Sequence, residues 1–166
     1  MIFNCDGVVM KSTGSNYTVR LDDGSLLTCR VRGKIRLDGR QTTNPIAVGD
    51  RVQVRSSEDT NETPVIVEVY PRRNYIERKS VNLSKRAQII AANIDRCYLF
   101  VTLFAPETHL PFIDRFLVAT ESMRIPTSLI FNKIDLYDEA ALEVMHNIIA
   151  IYEPLGYPCW PISVTN

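Results

Sequence analysis

Several features that would identify a large class of proteins are missing from this sequence. No uninterrupted apolar run approaches the roughly 20 residues that a membrane-spanning helix needs. The four cysteines form no CxxC pair and the two histidines form no cluster with them, so we expect no zinc or other metal site in this chain. No basic segment leads into an apolar stretch near the N-terminus, and we therefore expect no secretory signal. These absences favour a cytoplasmic protein with reduced cysteines that does not bind a membrane.

What the sequence contains is an ordinary globular composition with an uneven distribution of charge. Its 166 residues are 45% hydrophobic and 23% charged, with a formal net charge of zero. Residues 1–86 carry 15 Lys and Arg against 10 Asp and Glu, whereas residues 87–166 carry 4 against 9. A basic first half beside an acidic second half predicts an anionic partner for the first half.

The first 71 residues have the pattern of a small all-β domain. Short alternating segments are separated by turn residues, of which Asp22-Asp23-Gly24 is a strong hairpin signal. Five strands are predicted, at residues 7–10, 17–21, 25–31, 52–55 and 64–70. Five short strands fit a Greek-key barrel of the OB-fold type, whose surface often binds oligonucleotides, and an SH3-like barrel is the alternative.

Residues 72–86 are predicted to be a basic linker, because they have little apolar periodicity and many cations. The residues after the linker, 87–166, change to an α/β pattern. The predicted order is strand, helix, strand, helix, strand, at residues 98–103, 111–123, 126–131, 138–152 and 158–163. The first of these strands is expected to be buried on both faces of a parallel sheet, and the aromatic residues Phe112, Phe116 and Trp160 are expected in the core. Three strands make a thin sheet, so this segment is predicted to be the first part of a larger domain.

The most specific motif is Asn132-Lys133-Ile134-Asp135, which follows the second α/β strand. Ligands of open α/β sheets bind at the carboxyl ends of the strands, where this motif lies. The Asp135 carboxylate can accept hydrogen bonds from N1–H and the amino group of guanine, whereas adenine offers neither donor. The Asn132 amide can contact N7, and the Lys133 stem can lie across the face of the base.

A second candidate loop, Ser163-Val164-Thr165, ends the next predicted strand, where a backbone N–H can reach guanine O6. The alternative for Asn132 and Asp135 is ordinary turn chemistry between a strand and a helix. The phosphate-binding motif GxxxxGK[ST] and the motif DxxG, which precede NKxD in a conventional GTPase, do not occur in these residues. The predicted barrel occupies their place.

This arrangement resembles the circularly permuted GTPases, specifically the ribosome small-subunit-dependent GTPase A (RsgA/YjeQ) family. The stretches that carry the resemblance span nearly the whole chain in the order of the family; they are Arg32–Lys34, Val48–Val52, Ile90–Asp95, Ile113–Val118 and Asn132–Leu136. One departure is Val164, which is bulkier than the small residue that usually follows the serine of the family's second guanine loop.

The resemblance implies an OB-fold, a permuted P-loop-type GTPase domain and a C-terminal zinc module, of which this chain would hold the barrel and a truncated first part of the GTPase domain. It implies a GTP-hydrolysing enzyme of late small-subunit maturation, with GTP or GDP and Mg²⁺ as ligands, ribosomal RNA as partner and zinc only in the missing module. Guanine binding is expected at Asn132, Lys133, Ile134, Asp135, Ser163 and Val164. No catalytic residue is expected here, so this chain alone is predicted to be inactive and monomeric.

A row of cations marks the expected RNA contact. Arg30, Arg32, Lys34 and Arg36 occupy every second position, with Arg40 nearby, so an extended segment presents all four on one face. Such a row suits a phosphate backbone, although a solvated strand face is the plainer interpretation. The other function left open is a non-catalytic RNA-binding module in which the α/β segment only supports the barrel.

Overall fold

The computed structural model describes residues 2–31, 46–57, 62–79 and 87–165 of the chain. These residues divide into two compact units, Met1–Ile94 and Asp95–Asn166. The first unit continues through the predicted linker at 72–86, because part of that segment is a strand paired with a strand that follows it. The division between the units therefore comes later in the chain than the segment predicted to be a linker.

The first five strands form a closed barrel, which confirms the prediction of a β-barrel in this half of the chain. Around the barrel the order is β1-β2-β3-β5-β4, and β3 and β5 pair in parallel. The bounds are β1 Ile2–Thr13, β2 Asn16–Leu21, β3 Leu26–Val31, β4 Arg51–Ser57 and β5 Val65–Val69.

The long first strand closes the barrel because it pairs on both of its sides. Its first part pairs with β4 and its later part with β2, and Gly7 lies opposite both Leu21 and Val52. The register shifts between Val9 and Lys11, and such a bulge bends and twists a strand. The predicted hairpin turn joins β2 to β3, with Gly24 at a φ of 89°, a conformation that favours glycine.

Alternating apolar residues of these strands fill the barrel interior. In β2, for example, Tyr17, Val19 and Leu21 are buried, whereas Asn16 and Arg20 are exposed. The buried cluster inside the barrel comprises Val9, Tyr17, Val19, Leu21, Cys29, Ile46, Val52, Val54 and Ile66.

A two-stranded ribbon, β6 Tyr75–Lys79 and β7 Ala87–Ala92, completes the first unit. It lies against the segment before β4, where Ala92 N donates to Val48 O at 2.8 Å. Gly49 has a φ of 88°, and a Cβ there would lie 2.0 Å from Ala92 O, so only glycine fits this close approach.

The buried carboxylate of Asp50 fixes the same segment. It receives hydrogen bonds from Nε and Nη2 of Arg72, both at 2.7 Å, and from the Ala47 backbone N at 2.8 Å. An arginine held by two parallel hydrogen bonds has little freedom of orientation. The residues that precede β4 are thus bound to the residues that follow β5.

The second unit is a three-stranded parallel sheet with two helices, as the α/β pattern predicts. Its elements, in chain order, are β8 Cys97–Val101, α1 Leu110–Ser122, β9 Thr127–Phe131, α2 Glu139–Tyr152 and β10 Cys159–Pro161. Asp138 caps α2 by accepting from Ala141 N at 2.8 Å, and Gly156 takes the left-handed conformation just beyond it.

Both helices cover one face of this sheet. Leu99, Val101, Leu129, Phe131 and Cys159 form a single buried cluster with residues of α1 and α2. The strands follow one another in the same direction across the sheet, so right-handed connections place both helices on the same side.

The prediction that β8 is buried on both faces and the prediction that Trp160 is a core residue are wrong for that reason. The strand β8 is buried on one face only, because Tyr98 and Phe100 point away from the helices and are 56% and 57% exposed. Trp160 lies on that same face and is 56% exposed. Phe112, on the outer side of α1, is 47% exposed, and Phe116 is only partly buried against the core. Within the described residues, no helix is long and apolar enough to cross a membrane.

Candidate functional site: a cluster of loops at the carboxyl ends of the sheet

The Asn132-Lys133-Ile134-Asp135 motif begins directly after β9, at the edge of the sheet where all three parallel strands end. Two backbone hydrogen bonds join the strand ends there. Asn132 N donates to Val101 O at 2.9 Å, and Ile162 N donates to Phe131 O at 2.7 Å. The loops that follow β9 and β10 therefore start side by side, as the general rule for ligand sites in open sheets requires.

Lys133 makes the sharp bend of the motif. Its φ of 69° and ψ of 32° are left-handed, and its backbone N–H donates to Asn132 Oδ1 at 2.8 Å. Asn132 Oδ1 is thus engaged within the motif, and the Nδ2 group is the part of this side chain that can donate to a base. The Lys133 ammonium donates to the Ala105 carbonyl, so its methylene stem extends toward the loop after β8.

Asp135 lies in a 3₁₀ turn, Ile134–Leu136, and its carboxylate accepts a hydrogen bond from Ser163 Oγ at 2.6 Å. Ser163 Oγ is in turn 2.9 Å from Thr165 Oγ1. The hydrogen bond from Ser163 is the main reason that the pKa of Asp135 is lowered from its ordinary value, with further help from Thr165 and the Lys133 charge. Asp135 is therefore an ionised acceptor at neutral pH.

The structure thus brings together the two loops that the sequence singled out separately. Asp135 and Ser163 are in direct contact, and Ile134 N donates to Ile162 O at 3.3 Å. Val164 is 75% exposed beside them. The site that results offers an exposed carboxylate acceptor, an amide donor and an alkyl stem at one edge of the sheet.

Sequence reasoning missed a third loop, residues 102–109, and a tyrosine that joins it to the motif. Tyr137 is buried, and its hydroxyl contacts the backbones of both Leu103 and Asn132. An apolar-looking tyrosine two residues after Asp135 carries no sequence signal for such a role, because the contact depends on how the strands align.

The predicted RNA-binding residues are only partly described. Arg30 is exposed near the end of β3, opposite Asn16 of β2. Arg32, Lys34, Arg36 and Arg40 lie outside the described residues. In the described parts of the chain, no three His, Cys, Asp or Glu side chains are grouped so that they could hold a metal ion.

Two family models match the chain. The RsgA N-terminal domain matches residues 6–64, and the RsgA GTPase matches residues 69–166, which is more than half of the chain. Among curated proteins, a small ribosomal subunit biogenesis GTPase RsgA from Bacteroides fragilis is 49% identical over 157 residues, covering 95% of this chain and 50% of that protein. The protein of the same name from Flavobacterium psychrophilum is 47% identical over 161 residues, covering 96% of this chain and 49% of that protein.

Two solved structures have a similar fold. The crystal structure of YjeQ from Thermotoga maritima matches with a TM-score of 0.72 at 34% identity, over 98% of this chain and 53% of that one. The fold of YloQ, described as a circularly permuted GTPase, matches with a TM-score of 0.69 at 23% identity, over 99% of this chain and 53% of that one. The chain spans about half the length of the curated relatives it matches. On these matches, and above all on the model that covers residues 69–166, the chain belongs to the RsgA GTPase family.

Proposed function

We propose that this chain is the guanine-recognising and RNA-docking part of a ribosome-associated GTPase that acts in late maturation of the small ribosomal subunit. The observation that carries the proposal is the contact between Asp135 and Ser163, 28 positions apart, at the carboxyl edge of the sheet. Turn chemistry alone would account for Asp135 beside Lys133, but it gives no reason for the next loop to converge on the same carboxylate.

Guanine recognition in this site rests on the polarity of each group. The ionised Asp135 accepts from N1–H and from the amino group, Asn132 Nδ2 donates to N7, and the Lys133 stem packs on the base. A backbone N–H of the Ser163-Val164 loop donates to O6. Adenine presents an acceptor opposite the carboxylate, and an unpaired charged acceptor costs about 1–3 kcal/mol or more.

We assign the residues that bind the phosphates and Mg²⁺ to the region of the relatives that this chain does not span. Its 166 residues contain no GxxxxGK[ST] motif, and phosphoryl transfer needs such a cradle together with Mg²⁺ ligands. We therefore expect no GTP hydrolysis by this chain alone. The proposal includes a P-loop-type, circularly permuted GTPase domain, zinc in a further module, and a monomeric cytoplasmic protein.

Base selectivity tests the proposed function. In the chain itself, GDP should bind weakly, because only the base half of the pocket is present, yet it should bind better than ADP, which carries the same phosphates. The measurement is titration of each nucleotide into the ¹⁵N-labelled chain, following the backbone amides of Lys133, Asp135 and Ser163 by NMR. Equal shifts with GDP and ADP would contradict guanine recognition and favour an RNA-binding module in which the α/β unit is only a support.

RNA docking is assigned to the barrel, which we propose to be an OB-fold. The support is its closed five-stranded order, in which β5 lies between β3 and β4 as in a Greek-key arrangement, and the exposed Arg30 at the start of the cation row. The excess of cations in residues 1–86 supplies the long-range attraction for phosphates.

Reversing charge in the cation row should weaken RNA binding. The double variant Arg32→Glu, Lys34→Glu should bind a structured small-subunit rRNA fragment at least about tenfold more weakly, because two phosphate contacts are lost, and the dependence on salt should become less steep. Fluorescence anisotropy at several salt concentrations measures both. The control is Arg96→Glu, Arg124→Glu, two exposed cations of the second unit whose reversal changes net charge equally. Equal weakening by both pairs would show that net charge, and not the row, binds RNA.

A further inference from the structure

The hydroxyl of Tyr137 joins two loops of the candidate site through two hydrogen bonds of opposite polarity. It donates to Asn132 O at 2.9 Å and accepts from Leu103 N at 3.0 Å. Asn132 begins the base-binding motif, and Leu103 lies in the loop that follows β8. A tyrosine hydroxyl can serve as donor and acceptor at once, and no other group of this buried side chain can satisfy either backbone atom.

The aromatic ring of Tyr137 strengthens the same connection. It packs against Phe104, with ring centroids 5.1 Å apart and an angle of 56° between the rings. Residue 105, next to Phe104, supplies the carbonyl to which the Lys133 ammonium donates. The loop 102–109 therefore binds the Lys133 ammonium, and Tyr137 binds the same loop through its hydroxyl and its ring.

That loop is well ordered by its own hydrogen bonds. Thr108 N donates to Thr102 O at 2.8 Å, and Thr102 N donates to Thr108 Oγ1 at 3.2 Å. These hydrogen bonds join the two ends of the loop, and Tyr137 binds the loop at Leu103, between those ends.

We propose that Tyr137 is a positioning residue for guanine recognition, which fixes the loop 102–109 and the Asn132–Asp135 turn as one rigid wall of the base pocket. The inference rests on the proposed function of the site. Tyr137 itself touches no base in this scheme. Its hydroxyl binds the Asn132 carbonyl and so positions the left-handed turn at Lys133. In that position the Asp135 carboxylate and the Lys133 stem can contact the same base.

Removal of the hydroxyl alone tests this role. In Tyr137→Phe the ring and its packing on Phe104 remain, while Leu103 N–H and Asn132 C=O lose their partner. The measured quantity is the ratio of the dissociation constants for IDP and GDP, obtained by NMR titration of the 166-residue chain. IDP differs from GDP only in lacking the amino group that is proposed to donate to Asp135. The ratio therefore reports how well the carboxylate is aligned with the base, and the contribution of the phosphates cancels. We expect the variant to bind GDP about tenfold more weakly and the ratio to approach one.

Tyr152→Phe is the matched control. Tyr152 is a buried tyrosine of the same core, and its hydroxyl donates to Asp114 of α1 at 2.8 Å, so this hydrogen bond involves no residue of the three loops. Its loss should lower the stability of the unit while the IDP to GDP ratio stays at the wild-type value. A similar fall of the ratio in both variants would show that general loosening of the core is responsible, and would overturn the proposal.

A measurement on the unmutated chain covers the case in which Tyr137→Phe fails to fold. The Leu103 amide should shift on addition of GDP together with those of Lys133 and Asp135, because the hydroxyl couples the loops. A Leu103 amide that does not respond while Lys133 and Asp135 do would overturn the role of Tyr137 and leave the proposed function standing. Absence of any preference for GDP over IDP in the unmutated chain would overturn both.

Discussion

Replacing Asp50 by alanine should destabilise the first unit by about 3–5 kcal/mol, a large part of the stability of a small domain. The carboxylate is completely buried, and it accepts two hydrogen bonds from Arg72, whose side chain is only 14% exposed, and one from the Ala47 backbone. Alanine removes all three bonds and leaves a mostly buried guanidinium without the carboxylate that neutralises it. Urea unfolding followed by circular dichroism measures the loss.

The exposed pair Asp22–Arg51 supplies a control in the same barrel. Asp22 also binds an arginine through both carboxylate oxygens, but its side chain is 58% exposed and that of Arg51 is 41% exposed. Water replaces the lost contact at the surface, so Asp22→Ala should change the free energy of unfolding little. If Asp50→Ala lowered the free energy of unfolding no more than Asp22→Ala, the idea that burial makes the Asp50–Arg72 pair stabilising would be wrong.

Replacing Asp135 by asparagine should move the preference of the site from guanine to xanthine nucleotides. Asparagine keeps an acceptor for N1–H but places an NH₂ opposite the guanine amino group, donor against donor. Xanthine has a carbonyl oxygen at that position and accepts from the new NH₂. The lost charge-assisted pair and the new clash should cost a few kcal/mol, at least about a hundredfold in affinity for GDP. Competition between GDP and XDP measures the change, in a version of the protein that also carries a phosphate loop.

Asp138→Asn is the matched control for this experiment. It makes the same chemical change three positions further along, where Asp138 accepts from Ala141 N at the start of α2. Asparagine caps a helix about as well as aspartate, so neither the fold nor the base preference should change. Full retention of GDP preference by Asp135→Asn would show that this carboxylate does not read the base and that the motif is only a turn after a strand.

Local patterns were sufficient for most elements of the fold. The alternation of Tyr17, Val19 and Leu21 and the Asp22-Asp23-Gly24 turn predicted a hairpin, and the periodicity of residues 138–152 predicted α2 within one residue. The ribbon of β6 and β7 was not predicted. The sequence of β6 is rich in charge and poor in alternation, which is the composition of a linker. The tertiary structure pairs it with β7, which in turn lies against the backbone of Val48.

The sequence by itself determined which residues we propose for base recognition, because Asn132, Lys133 and Asp135 have the donors, acceptors and stem that a guanine needs. Only the tertiary structure decided how they are arranged. Ser163 reaches Asp135, and Tyr137 reaches Leu103, because parallel strands end at one edge and bring together loops that are tens of residues apart. Burial was decided in the same way: Trp160 looks like a core residue by type, yet two right-handed connections place both helices on the opposite face of its sheet.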